Sequence, residues 1–269
     1  MPKTKAGIAL IVFQRRENKD LDGVLKDCAD AGYACIETGF LFDLYSPEQI
    51  RNACKKHGLE YAAGHGGYDT FCDETKLSET IKNVKVTGGH YIICSGIAPG
   101  QGLEAYRASA KVFNRAGKMA KDAGLTFCYH NHAFEFEIID GQKGIHLLGE
   151  ETDPGLVKFN VDVSWVQIGR ESPAEFIKRY SNRVGYYHFK DAKINKAADL
   201  KRGAQDLGAP FKMENITWTE LGKGDIKLAE AYQVVKDKAD YIIYEEDVSQ
   251  IEIGQAIRDS RAYLRKLGI

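Results

Sequence analysis

The sequence predicts a single (β/α)8 TIM barrel spanning residues 1–269, on three observations. Short β-branched or aromatic runs alternate with longer segments of helical periodicity all along the chain. Eight such strand–helix units share 269 residues, about 34 each, the size of a closed barrel of roughly 250 residues. An open doubly wound sheet usually has fewer strands at this length, and its Gly-x-Gly-x-x-Gly fingerprint after the first strand is absent. No linker or composition shift marks a second domain.

The elements follow in order. GIALIVF (7–13) is an apolar run that precedes a helix over 18–31, stopped by Gly32. YACIETG (33–39) leads to Ser46-Pro47, a capping residue before a proline at the first helical position, and to a helix over 46–57 that Gly58 ends. LEYAAGH (59–65) and a helix over 74–87 form the third unit; HYIICSG (90–96) and a helix over 102–123, closed by Gly124, form the fourth. LTFCYHNH (125–132) precedes a helix over 143–150, and LVKFNVDV (156–163) precedes Ser172-Pro173 and a helix over 173–180. VGYYHFKD (184–191) is followed by the longest connection, 192–225, and a helix over 226–238. DYIIYEED (240–247) and a helix over 250–266, ending near Gly268, complete the set. A connection as long as 192–225 in a compact domain tends to be functional, here a lid or substrate loop on the catalytic face, with Gly222 and Gly224 letting it fold back.

Composition narrows the function. Lys+Arg number 37 and Asp+Glu 38, a net charge of −1, and no basic run exceeds two residues, which disfavours a nucleic-acid partner. The six cysteines stand singly, without CxxC spacing, and are expected to be reduced and mostly buried in a cytoplasmic compartment. The apolar run after Lys3 and Lys5 is too short for a signal peptide, and no stretch approaches the roughly 18 apolar residues of a membrane span. No Ser-His-Asp, activated-Cys or Walker motif is recognisable.

In a barrel, active-site groups project from the C-terminal ends of the strands. Those ends carry Glu37, His65, His130, His132, Glu135, Asp162, His188, Lys190, Glu245 and Asp247, each group from a different strand. Glu135, Asp162, His188 and Glu245 make an oxygen-rich set with one imidazole, suited to Mn²⁺, Mg²⁺ or Co²⁺ rather than to a structural zinc. Lys190 shares the face of His188 and is placed to hold a substrate oxygen or pair with a carboxylate. Glu37, His65 and His130 are candidate substrate contacts, His132 a proton carrier, and Trp165 and Trp218 a wall for a sugar ring or plain core. Gly66-Gly67 permits close backbone approach to a ligand. Arg15, Arg16, Arg170 and Arg202 are the candidates for clamping a phosphorylated or carboxylated substrate.

YHNHAFEFE (129–137), FNVDVSWV (159–166), YYHFKD (186–191), ELGKGDI (220–226) and IYEEDVS (243–249) resemble successive motifs of the xylose-isomerase-like TIM-barrel superfamily of sugar phosphate isomerases and epimerases. The resemblance implies that a divalent ion is held by Glu135, with Glu137 on the same parity as the alternative, and by Asp162, His188 and Glu245. Mn²⁺ is the expected ion, with Mg²⁺, Co²⁺ or Zn²⁺ as substitutes. Two opposed glutamates, Glu135 and Glu245, with Lys190 and His132, would then move protons while the ion stabilises an enediolate.

The leading expectation is a metal-dependent isomerase or epimerase of a ketose, keto-sugar or keto-polyol. A lyase of the same superfamily, an inosose-type dehydratase or keto-glycoside eliminase, is the runner-up. An AP endonuclease-like repair enzyme is remote, because it would need more ligands and a basic groove. Expected partners are a small sugar or polyol and, as for many barrels, another copy of the chain, but neither nucleic acid nor membrane.

Overall fold

The computed structural model describes residues 4–39, 41–195, 210–236 and 238–269. Eight parallel strands close into a barrel: β1 Lys5–Ala9, β2 Cys35–Gly39, β3 Glu60–Gly67, β4 Tyr91–Ser95, β5 Thr126–His130, β6 Val157–Asp162, β7 Val184–Phe189 and β8 Tyr241–Tyr244. Each pairs with its sequence neighbours, and β8 closes on β1 with Lys5 opposite Tyr241. Eight helices surround them: α1 Leu21–Ala31, α2 Pro47–Lys56, α3 Glu74–Thr87, α4 Gly102–Asp122, α5 Gly144–Glu151, α6 Pro173–Arg179, α7 Leu228–Val235 and α8 Ile253–Leu267.

The predicted start and stop signals act as expected. Ser46 and Gln49 form a reciprocal capping box ahead of Pro47, and the Ser172 hydroxyl accepts from Glu175 N ahead of Pro173. Gly32 ends α1 in the left-handed conformation, φ +90°, a geometry that penalises any Cβ.

Two apolar layers hold the barrel. Helices pack on its outside through a large cluster including Val24, Ile50, Phe113, Phe159 and Leu264. The interior is a separate cluster: Ala9, Cys35, Ala62, Ala63, Ile93, Cys128 and Ile243 pack with Tyr91, Tyr186 and Tyr241. Tyr91 and Tyr241 send their hydroxyls to Asp240 and Glu60 at the N-terminal end of the strands. The barrel is therefore plugged at one end, and polar residues are left for the other.

The expected strands 7–13, 125–132, 184–191 and 240–247 all run past the observed ends at Ala9, His130, Phe189 and Tyr244. β1 stops at Ala9, and Leu10–Phe13 turn into a 3-10 helix followed by left-handed Gln14 and Arg15. β5 stops at His130, and Phe134–Phe136 form another 3-10 turn. Leu10–Phe13 is apolar enough to read as strand, but no partner strand continues alongside it. The 192–225 connection contributes an antiparallel ribbon, Asp191–Ile194 with Ile216–Thr219, at the catalytic end. Its middle, 196–209 with Arg202, lies outside the described residues. A second ribbon, Ile138–Ile139 with Gln142–Lys143, and short helices Tyr68–Cys72 and Val163–Ile168 lie on the same face. Gly222 and Gly224 do turn the loop back, and the Asp191 carboxylate holds that turn by accepting from the N–H groups of Ala192, Gly222, Gly224 and Ile226.

All six cysteines are free, and Cys72 alone is exposed. Among the described residues no helix is long and apolar enough to cross a membrane.

Candidate metal centre at the mouth of the barrel

Four side chains from four consecutive strand ends meet at the open end. His130 closes β5, Asp162 ends β6, His188 lies in β7 and Glu245 follows β8. One donor atom from each lies within 4.8 Å of the others, and all four residues are buried. The register shifts by one residue twice below the mouth: Ala62 of β3 is the extra residue opposite Ile36/Glu37, and Gly185 of β7 the extra residue opposite Phe159/Asn160.

Local structure orients each donor. The Asp162 carboxylate caps the helix Val163–Ile168: Oδ1 accepts from Ser164 N at 2.9 Å and Trp165 N at 3.0 Å. Its Oδ2, buried, has no hydrogen-bond partner. Asn131 pins the backbone of Asp162, accepting from its N–H at 3.1 Å. His188 Nε2 lies 2.8 Å from Glu37 Oε2, which leaves Nδ1 turned to the cluster, 2.6 Å from Glu245 Oε2 but outside hydrogen-bonding geometry. A carboxylate on the far nitrogen is how metal-binding imidazoles are usually oriented. The Asn160 amide sits between the imidazoles, 3.1 Å from His188 and 3.3 Å from His130.

Charge balance in this buried site is tight. Burial alone would raise the Glu37 carboxyl, but His188 and His65 overcome it and bring it to about 2. Burial alone would lower His188, but Glu37 and Glu245 raise it to about 10. Lys190 is wholly buried, with Nζ 2.7 Å from Glu245 Oε1, 3.0 Å from Asp247 Oδ2 and 3.7 Å from Asp162 Oδ2. Despite burial, Lys190 and His188 hold Glu245 well below the usual carboxylate range. Asp162 is pushed up to about 6, mainly by burial, and burial keeps His130 and His132 neutral, His132 falling to about 4. Asp162 Oδ2 and His188 Nδ1 thus make no hydrogen bond of good geometry and face only the charges of Lys190 and Glu245, in a set of two imidazoles and two carboxylates. That donor set fits a divalent transition ion.

The structure distributes the sequence-predicted residues unevenly. Asp162, His188 and Glu245 converge, but Glu135 stands outside the cluster and His130 takes the remaining place. Glu135 Oε1 accepts from the Tyr129 hydroxyl at 2.7 Å and Oε2 from His132 N at 2.9 Å. Burial raises its carboxyl to about 7. Glu137 is exposed. Glu37 and His65 bond each other at 2.9 Å and, with His130, His132 and Glu245, line a cavity of about 600 Å³. Trp165 and Trp218 stack edge to face at 5.0 Å, with the Lys190 ammonium 5.1 Å and 4.9 Å from their ring centres. They enclose the ammonium, and Trp165 also borders a second cavity with His132.

Of the arginines, Arg15 lines the mouth, Arg16 pairs with Asp20 and Asp27, and Arg170 stacks over Phe211 at 4.0 Å. Asn160 and Ser95 are site residues the strand-end reading missed. Asn160 lies two residues before Asp162 on the same strand parity, which was the available signal; Ser95 carries none.

A (β/α)8 barrel with buried imidazoles and carboxylates gathered at its C-terminal mouth is the architecture of a TIM-barrel enzyme scaffold. Residues 25–267 match the family model described as xylose isomerase-like TIM barrel, and the chain belongs to that family. It is 27% identical over 209 residues to an inosose dehydratase of Geobacillus kaustophilus, covering 69% of this chain and 67% of that one. A sugar phosphate isomerase/epimerase from Parabacteroides distasonis superposes with a TM-score of 0.76 at 19% identity, over 98% of this chain and 94% of the other. An IolI protein structure with a bound zinc atom gives a TM-score of 0.73 at 15% identity, over 98% of each chain.

Proposed function

We propose that this protein is a divalent-metal-dependent lyase that removes the proton beside the carbonyl of a keto-polyol or keto-sugar and expels the oxygen substituent one carbon further on. The observation that carries this reading is the convergence of His130, Asp162, His188 and Glu245, whose donor atoms all lie within 4.8 Å of one another and are buried. A bound Mn²⁺, Co²⁺ or Zn²⁺ would polarise the substrate carbonyl and neutralise developing negative charge; two imidazoles favour these ions over Mg²⁺.

The chain's own groups supply the rest. Glu37 fixes the His188 ring, and Lys190 keeps Glu245 ionised. His132, neutral and partly open to the cavity, accepts the proton from carbon and returns it to the departing oxygen. Elimination needs one such group. Epimerisation needs proton transfer on both faces, and a pair of opposed glutamates is not what meets here: Glu135 is bonded to Tyr129 away from the cluster. The curated relative named inosose dehydratase supports the same choice. The second reading, an isomerase or epimerase, rests on Glu245 and His132 both bordering the cavity and on the name of the Parabacteroides structure.

The test is incubation of the Mn²⁺-loaded protein with inososes, ketoses and keto-glycosides in D₂O. The proposal expects an unsaturated ketone absorbing in the ultraviolet and no activity after chelation. A deuterated isomer or epimer without elimination would replace it with the second reading.

A further inference from the structure

The cavity over the metal centre is not the whole of the mouth. A second cavity of about 400 Å³ adjoins it through Ser95 and His132, and its remaining wall is Gly96, Ala133, Phe134, Trp165 and Met213. The two differ in chemistry. The first presents Arg15, Glu17, Asp247 and histidines, groups that bond hydroxyls; Glu17 is 7% exposed with Oε2 unpartnered. The second is formed by apolar side chains, and His132 divides the two, its ring stacked on Phe134 at 5.9 Å and 5.6 Å from Trp165.

We infer that the substrate has two parts, a polyhydroxylated ring over the metal centre and an apolar, flat substituent seated across His132 between Phe134, Trp165 and Met213. The inference rests on the proposed reaction site and names its substrate class: a glycoside or ether of a keto-sugar rather than a free polyol. A ring with a hydroxyl on every carbon would leave the second cavity unfilled and would find few partners there. Phe134 and Met213, 40% and 52% exposed, would stay in water. Burying an aromatic group there removes apolar surface on both sides from solvent. The seven exposed large apolar residues recorded among the described residues, which include these two, all lie in the connections that follow the C-terminal ends of barrel strands: Ile11, Leu44, Phe134, Ile138, Met213, Val248 and Ile251. That face is therefore built to meet apolar material, and the continuity of the two cavities assigns its inner part to the substrate.

Titration calorimetry of the Mn²⁺-treated protein with phenyl β-D-glucoside and methyl β-D-glucoside tests the inference. Phenyl glucoside is expected to bind about tenfold or more tightly than methyl glucoside, since an aromatic ring buries several additional carbons. Phe134→Asp and Met213→Asp, at partly exposed positions, should each reduce that preference, while Ile138→Asp, outside both cavities, retains it. Equal affinities, no detectable phenyl glucoside binding, or a preference unchanged in both cavity variants would overturn the inference. So would a dimer in sedimentation that Phe134→Asp dissociates, because the cavity would then serve a second copy. The preference does not need the ion, so a separate Mn²⁺ titration distinguishes failure of the metal-centre reading from failure of this one.

Discussion

Replacing Lys190 by Met should weaken the metal-free protein and tighten its hold on a metal. The Nζ of Lys190 lies 2.7 Å from Glu245, 3.0 Å from Asp247 and 3.7 Å from Asp162, and the side chain is wholly buried. Removing the cation while leaving its carboxylates buried costs about 3–5 kcal/mol. At about 2–4 °C per kcal/mol for a chain of this size, the chelated variant should melt roughly 6–20 °C below wild type. An ion bound by Asp162 and Glu245 would otherwise share them with the ammonium. Two unit charges about 4 Å apart repel by about 4 kcal/mol at an effective dielectric of 20. Even a third of that gives about tenfold tighter Mn²⁺ binding in Lys190→Met, and saturating Mn²⁺ should close most of the gap in melting temperature. Scanning calorimetry with and without Mn²⁺, alongside isothermal titration, reads both effects. Weaker Mn²⁺ binding by a folded Lys190→Met protein would refute the reasoning, because it would put the ion elsewhere than between these carboxylates.

Other consequences are separable from the metal. Glu171 is held at about 2, against burial, by His146 at 2.9 Å and Lys143 at 2.8 Å. A depressed carboxyl stabilises the fold above its unfolded value of about 4.5 and loses that contribution as pH falls towards 2. With solvent screening, Glu171→Gln should cost about 1–2 kcal/mol at pH 7 in urea melts, and the difference from wild type should shrink below pH 4.5; a difference independent of pH would count against the cluster. Asp191→Asn should cost about 2–3 kcal/mol, since one amide oxygen cannot accept all four backbone N–H groups that converge on this carboxylate. The loss should appear as faster proteolysis within 216–226, and unchanged cleavage there would contradict the role. A thiol reagent should titrate one cysteine rapidly in the native state, Cys72, and six in denaturant, because the other thiols are buried and Cys54, for example, is pushed up to about 12; rapid reaction of two or more native thiols would contradict it.

The barrel was legible because its physics is periodic. Eight alternations of β-branched runs with capped amphipathic helices leave few other ways to bury that much apolar surface, and the Ser46-Pro47 and Ser172-Pro173 starts fall where predicted. Asp162, His188 and Glu245 were legible for the same reason: each lies at or just beyond the C-terminal end of a strand that the pattern identifies. Glu135 does not join the cluster, because the period-two rule holds only while a strand lasts. β5 ends at His130, the chain turns through Phe134–Phe136, and parity beyond that point carries no direction. The first strand overran for the same reason, since Leu10, Val12 and Phe13 are buried in a 3-10 turn that composition does not distinguish from a strand. The apolar cavity was not legible, because Ala133, Phe134, Trp165 and Met213 come from three separate connections that meet only in the folded chain.

The most direct test of the metal centre is the ion content and Mn²⁺ binding of four purified proteins: wild type, His130→Ala, Asp162→Ala and Glu135→Gln. One ion per chain is predicted for wild type and for Glu135→Gln, with binding lost or weakened at least a hundredfold in the other two. Retention by His130→Ala together with loss in Glu135→Gln would contradict the assignment and restore the ligand set first read from the sequence.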